Sequence, residues 1–535
     1  MTSAPRYGMG DAVPKTVRQH DLEAYKKKFV TATRSGRELL LYLERSTCGV
    51  WRCEQDQVDR RRWWLNITLP KNVAEMFDAH LEILLVYVEY DSVEPRLLER
   101  VQERLSKTAR IDNGIFLIAS FDASLNRLLR RRRGEFAAID LDLNELNPEY
   151  PDIRHKMSEV LTTVDHYDMT TPIHDPGGFF GRSDEFQEII SDIERGQSVG
   201  VFGLRKTGKT SLLNYVARRR RDARKPVIWL DISGLSSADD FRLRVLQSTW
   251  ERVSELIDGD DLPKLSTLDR TGDLKVGIDR LRLQWLRDVQ VLSLAVGERL
   301  ELFIDEVDQL LPGRSILASE SSDLLVAFTQ LRGMIQDPHP SRGALLVCAG
   351  VDPAIFERPI LGSGADNLVY KLVRLMYLSP LSRDDMAEMV RDLGRRMGVR
   401  VRSHEVIDFL YSEYGGHALL TRKACSLACR SRSRDVIPWH MDVDSVRDAA
   451  REQGEGSPLQ QAREILESFG EWFPEEASLL GDLWSTDPED RELARLEIEE
   501  NPSAVAHAVP YGLLKAGTSE SRIRAVERAV SGADI

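Results

Sequence analysis

The chain has 535 residues, a formal net charge of −13, 42% hydrophobic and 30% charged residues. This excludes a disordered or collagen-like chain, and the length asks for three or four domains of about 100–200 residues each. No apolar run reaches the roughly 18–20 residues of a membrane-spanning helix, and the N-terminal MTSAPRYGMGDAVPK lacks a secretory layout, so a cytoplasmic location is expected.

Residues 1–150 read as one α/β unit. A helical stretch from Asp21 to Leu43 precedes a variable region. Buried strands follow at Leu81–Val88 (LEILLVYV), Gly114–Ser120 (GIFLIAS) and Ala137–Leu141 (AAIDL), with helices between them, one at Pro95–Lys107. Residues 151–180, with Pro151, Pro172, Pro176, Gly177 and Gly178, read as a linker by composition.

Residues 181–380 again alternate strands and helices, with strands at Ser198–Phe202, Val227–Ile232, Leu300–Ile304, Ala344–Ala349 and Lys371–Leu378. Short apolar runs of this kind suit a parallel sheet covered on both faces. A helical lid is expected over 381–435 and a helical or winged-helix tail over 436–535, with a terminal strand at Tyr511–Lys515.

The sparse, odd set Cys48, Cys53, Cys348, Cys425 and Cys429 argues against a disulfide framework. These cysteines read as buried small hydrophobes. Net acidity argues against indiscriminate binding to nucleic acid. The runs Arg60–Arg62, Arg130–Arg133 and Arg218–Arg221 are nevertheless candidate phosphate patches, although each is more simply a solvated helix end.

Gly203-Leu-Arg-Lys206-Thr207-Gly208-Lys209-Thr210, followed by Ser211, fits G-x-x-x-x-G-K-[ST] between a strand and a helix. Glycines let the backbone wrap phosphate oxygens, and the next helix offers free N–H groups and its positive dipole end. Lys209 supplies charge to the β- and γ-phosphates, and Thr210 a hydroxyl for Mg²⁺. Downstream, Leu300-Glu-Leu-Phe-Ile-Asp305-Glu306 is a strand ending in two carboxylates. Asp305 would hold Mg²⁺ and Glu306 would orient and deprotonate the attacking water.

With Phe179-Phe-Gly181-Arg182-Ser-Asp-Glu185-Phe186, these motifs resemble the AAA+/STAND class of P-loop ATPases, closest to its archaeal-type and origin-recognition-like branches, over about 178–430. The resemblance implies ATP as cofactor with Mg²⁺, and places Phe180–Arg182 beside the adenine. It implies a γ-phosphate-sensing position near Asp352, without the usual Asn or Thr. Gly415-Gly416-His417-Ala418-Leu-Leu-Thr421-Arg422 resembles the class's lid motif with Ala418 in place of proline, making His417 and Arg422 candidate nucleotide contacts. Arg358, Arg332, Arg342 and Arg374 compete as an arginine finger.

In the first unit, Asp78 and Glu89 with the helical Glu38 resemble the layout of restriction-endonuclease-like domains. The lysine expected two residues after Glu89 is Asp91, which implies a degenerate domain that binds nucleic acid or a partner. Arg60–Arg62 beside Trp63–Trp64 would suit single strands if the indoles were exposed. Phe473–Trp484 and Tyr511–Leu514 resemble a winged-helix module. Three functions follow: a regulatory ATPase switch, with anti-phage defence as one setting; an ATP-gated nuclease; and an ATP-dependent oligomeric scaffold or loader.

Overall fold

A computed structural model describes residues 19–77, 79–106, 108, 110–112, 114–131, 137–161, 165–168, 180–311, 321–339, 341–360, 366–430 and 438–532. Asp78 lies outside the described residues, as do Arg132–Arg133 and all of 169–179. The chain divides into two compact units. One is Met1–Met169 with Val390–Arg402 and Cys429–Asp442; the other is Thr170–Met389 with Ser403–Ala428 and Val443–Ile535. The stretch 381–435, expected as one lid, is therefore shared between the units, and its helices are Arg383–Arg395, His404–Tyr414 and Ala418–Arg430.

The first unit is built on a five-stranded sheet in chain order: β1 (Gly49–Gln55), β2 (Arg62–Thr68), β3 (Glu82–Val88), β4 (Ile115–Ser120) and β5 (Ala137–Asp142). β2 runs antiparallel to β1 and β3, and β3, β4 and β5 are parallel. Alternation explains the continuous apolar runs. Ile83, Leu85 and Tyr87 enter one core while Leu84, Val86 and Val88 enter the other, so both faces are covered.

β1 and β2 lie in the stretch expected to be variable. β1 carries polar residues at an edge, and β2 opens on arginine, so neither shows a clean apolar run. The single helix expected over Asp21–Leu43 is two, Gln19–Ala32 and Gly36–Arg45, broken at Ser35-Gly36. The linker expected from Pro151 contains a helix, Ile153–Leu161, whose Ile153, Met157, Val160 and Leu161 complete one core.

Trp63 and Trp64 are buried, so of the two readings open to them, core and stacking surface, they take the core. β2 is an interior strand: Trp63 packs edge-on against Phe29 at 5.2 Å, and Trp64 Nε1 donates to Asp56 at 2.8 Å.

Asp112 anchors this unit. It is fully buried and accepts from the N–H groups of His80, Gly114 and Ile115 and from Arg395 at 2.7 Å. Burial opposes its ionisation, but Arg395 and these N–H groups win and hold its carboxyl below the usual range. Asp112→Ala would leave Arg395 unpaired and three amides without their acceptor. It is expected to cost about 3–5 kcal/mol in urea unfolding, against less than about 0.5 kcal/mol for an exposed control such as Glu99→Ala.

The second unit holds a parallel sheet of β6 (Val199–Phe202), β7 (Val227–Asp231), β8 (Leu300–Asp305), β9 (Ala344–Gly350) and β10 (Arg374–Tyr377), in the order β10-β6-β9-β8-β7. Its core packs Val199, Val201, Phe303, Val347 and Met376 against Leu212, Leu213 and Val216 of the helix Lys209–Asp222. Arg220, in the last turn of that helix, forks onto Glu301 at 2.6–3.1 Å, so it is a structural ion pair.

The tail is mostly helical, with Pro458–Trp472, Pro474–Leu483, Pro488–Glu500 and Arg524–Ser531. The strand expected at Tyr511–Lys515 reduces to one bridge between Leu514 and Ser521, because Gly512 turns the chain at φ 75°.

Candidate functional site

The loop after β6 and the carboxylates after β8 meet at the carboxyl ends of the parallel strands, with β9 between β6 and β8. This is where an open α/β sheet places a ligand. The loop is shaped by local constraints. A Cβ on Gly203 would lie 2.7 Å from the Leu378 carbonyl, so only glycine admits that approach. Lys206 and Gly208 adopt left-handed backbone at φ 63° and 98°, and Gly208 caps the helix Lys209–Asp222.

Lys209 is buried and donates to the carbonyls of Gly203 at 2.9 Å and Leu204 at 2.8 Å. Burial lowers its pKa, while Glu306, Asp308 and Asp305 favour its charge. Burial raises the carboxyl of Asp305, and the neighbouring Glu306 charge adds to this; a hydrogen bond from Thr210 and the Lys209 charge oppose it. Burial likewise raises Glu306, with Asp308 contributing and Lys209 opposing. Glu306 is held at φ 56°, an uncommon conformation for a non-glycine residue that turns the chain sharply at the strand end.

Asp308, the last residue of the LFIDEVD run, has no role assigned from the sequence, although it completes the acidic run Asp305-Glu-Val-Asp308. It is fully buried and accepts from Val351 N at 2.7 Å and Asp352 N at 3.4 Å, tying the acidic strand end to the segment after β9. Asp352 itself is buried and caps Ala354 N at 2.8 Å, which accounts for one of its oxygens.

Arg182 is buried, and its guanidinium is spent on protein. It donates to Glu185 at 2.8 Å, to the Thr207 carbonyl at 3.3 Å and to the Ser379 carbonyl at 2.8 Å. It braces the phosphate loop against the end of β10. Gly181 precedes it at φ 61°, where a Cβ would strike Asp385 at 2.3 Å.

His417 comes to the loop from 200 residues downstream. It is fully buried, its ring lies near the Arg205 backbone, and its Nε2 has no hydrogen-bond partner among the described residues. Burial pushes its pKa down to about 4, with the Lys209 and Arg182 charges adding to the fall, so it is neutral at physiological pH. Arg422 is buried on the helix Ala418–Arg430. Among the arginine-finger candidates, Arg374 is committed to Glu188 and Asp192. Arg332 donates to Gln336, and Arg358 and Arg342 are exposed.

The donors fit Mg²⁺. A hydroxyl and a carboxylate, Thr210 and Asp305, lie side by side as hard oxygen ligands, and Mg²⁺ takes one or two protein ligands with the rest from phosphate and water.

In the first unit, Glu89 follows β3 and accepts from Arg34 N at 2.5 Å and Tyr87 Oη at 2.8 Å. It lines a cavity of about 570 Å³ with Asp91, Asp59 and four arginines. No lysine lines that cavity, and Glu38 is exposed on the helix Gly36–Arg45. All five cysteines are buried, and none forms a disulfide among the described residues.

No known family pattern and no curated protein matches the chain. Solved structures do resemble it. A Walker-type ATPase of Pyrococcus abyssi aligns at 14% identity over 68% of this chain and 99% of that one, with a TM-score of 0.44. Cdc6p of Pyrobaculum aerophilum aligns at 13% over 65% and 92%, TM-score 0.33. The RuvB Holliday junction branch migration motor of Thermotoga maritima aligns at 14% over 55% and 78%, TM-score 0.30.

The tail grips the segment after β9. His507 Nδ1 lies 2.6 Å from Glu476 and Nε2 3.3 Å from Glu357, its ring stacks on Phe473 at 4.1 Å, and Tyr511 Oη donates to the Val351 carbonyl. Burial lowers the His507 pKa, but the two carboxylates outweigh it and raise the value to about 9. A proton affinity raised on folding stabilises fully below the unfolded pKa of about 6.5 and is lost as pH rises through about 9. Unfolding free energy is therefore expected to fall by on the order of 2 kcal/mol between pH 7 and pH 10 from this residue. His507→Gln should flatten that decline in urea titrations at each pH.

Proposed function

We propose that this protein is a regulatory ATPase that binds ATP with Mg²⁺ at Gly203–Ser211, hydrolyses it, and couples its nucleotide state to a partner protein or nucleic acid. The observation that carries this reading is the convergence of Lys209, Thr210, Asp305 and Glu306 at one end of the second sheet. The strand order, with β9 between the phosphate-loop strand and the acidic strand, supports it.

In this reading the loop N–H groups and Lys209 hold the phosphates, and Lys209 exchanges its two carbonyl acceptors for phosphate oxygens. Thr210 and Asp305 hold Mg²⁺, which when bound neutralises charge on the phosphates. Glu306 orients water and takes its proton as the oxygen attacks the γ-phosphorus; its raised carboxyl pKa matches that task. Neutral His417 lies against the Arg205 backbone of the loop, a candidate contact for phosphate that carries no charge of its own. Asp308 links the acidic strand end to the Val351–Asp352 backbone, where the tail's Tyr511 also attaches, while the tail's His507 reaches Glu357 a few residues on. That chain of contacts supports coupling between nucleotide state and tail.

The first unit is assigned to binding. Asp91 stands where a nuclease needs a cation, and Glu89 is held by Arg34 N and Tyr87.

Glu306→Gln is expected to lower ATP turnover at least about 100-fold while retaining ATP binding, and Lys209→Ala to abolish binding, by phosphate release and calorimetry. Size exclusion with and without ATP reads the assembly. Unchanged turnover in Glu306→Gln would overturn the assignment. Cleavage of plasmid or single-stranded DNA with Mg²⁺ and ATP, lost in Glu89→Ala, would establish the nuclease reading instead.

A further inference from the structure

A cavity outside the phosphate loop lies in the tail half of the second unit. It measures about 940 Å³ and sits between the helix His404–Tyr414, the helix Val443–Arg451 and the residues around Lys515–Arg528. Its lining carries five cationic side chains against three carboxylates, within a tail rich in exposed acids. A basic concavity in an acidic surface focuses anions.

The cations differ in commitment. Arg528 pairs with the buried Glu413, and Lys515 with Glu520 at 2.8 Å. Arg447 and Arg451 reach only Asp444 and Asp448, each at 3.4 Å and each more than three-quarters exposed, pairs that water screens strongly. Arg524 makes no hydrogen bond or close ion pair among the described residues.

The lining also holds donors without acceptors. Trp484 is 4% exposed, and its Nε1 has no hydrogen-bond partner among the described residues; the same holds for Ser521 Oγ and Arg528 Nε. Trp484, Leu483 and half-buried Phe409 add an apolar part, and the Arg447 guanidinium lies 5.8 Å from the Phe409 ring centroid. A bare anion site needs no apolar lining; a ring bearing phosphate uses both parts.

We propose that this cavity is a second ligand site, for a nucleoside phosphate, with the phosphate on Arg451 and Arg524 and the ring against Phe409 and Trp484. It is separate from the phosphate loop but wired to it. Glu413, the partner of Arg528, ends the helix that turns through Gly415 and Gly416 into His417. That turn is rigid: a Cβ on Gly416 would lie 2.0 Å from the Leu381 carbonyl, and Arg522 Nε donates to the Gly415 carbonyl at 3.2 Å.

The test uses full-length Lys209→Ala protein, so that the phosphate loop does not contribute. Calorimetry with AMP is expected to show one site per chain, weakened at least tenfold by adding Arg451→Glu with an unchanged circular dichroism spectrum. Trp484→Phe, which keeps an aromatic ring but removes the indole N–H and part of the apolar wall, is expected to weaken AMP severalfold. Pyrophosphate and adenosine should each bind more weakly than AMP. A 5′-phosphorylated trinucleotide that binds more tightly than AMP assigns the site to a strand end, and the reverse order assigns it to free nucleotide. Absence of AMP binding, AMP binding indifferent to both substitutions, or pyrophosphate binding as tightly as AMP would overturn the proposal.

Discussion

One lysine among three carboxylates, removed from water, organises the second unit. Lys209, Asp305, Glu306 and Asp308 sit at the strand ends of a sheet whose interior is apolar. A buried cation or anion alone is costly, so each holds the others in place. Lys209 uses the loop carbonyls, Asp305 takes a hydrogen bond from Thr210, and Asp308 takes the amides beyond β9. The balance is incomplete, since burial still lifts all three acids above their ordinary pKa values. A site in that condition gains from a divalent cation and a polyphosphate, which add charge of both signs where the protein has left it uneven.

The surrounding structure keeps that cluster in register by contacts distant in sequence. Arg182 ties the loop to the end of β10 through carbonyls at Thr207 and Ser379. Gly203 allows the loop to lie against Leu378, and Gly415–Gly416 bring His417 down onto it. Tyr511 and His507 fasten the tail to the segment after β9, which Asp308 also holds. A shift at the acidic strand end thus has a short path to the tail through hydrogen bonds and not through loose packing.

The first unit follows a different logic. Its sheet is saturated on both faces, and its charged residues are either exposed or fixed, as Asp112 is by Arg395. The feature that looked most like a nucleic-acid surface, the two tryptophans after the arginine run, became core once β2 was flanked by β1 and β3. The arginines survive at the edge: Arg61 and Arg62 line the cavity beside Glu89.

The eight parallel strands β3–β10 were legible because most are short, largely apolar runs, and such runs have few other ways to hide from water. The phosphate loop and Asp305–Glu306 were legible because their chemistry needs particular residues at fixed local spacing. Local spacing does not report what lies opposite. β1 was lost because edge position and polar residues blur alternation, β2 because Arg62 and Asn66 interrupt its apolar run, and the helix Ile153–Leu161 because nearby prolines suggested a linker. Asp308, the bracing role of Arg182, the approach of His417 and the cation-lined cavity around Trp484 depend on residues tens to hundreds of positions apart. The sequence by itself determined most of the strands and the Gly203–Thr210 and Asp305–Glu306 motifs, which are set by neighbours along the chain; only the tertiary structure decided which charges share a buried space, because that depends on which distant segments exclude water together.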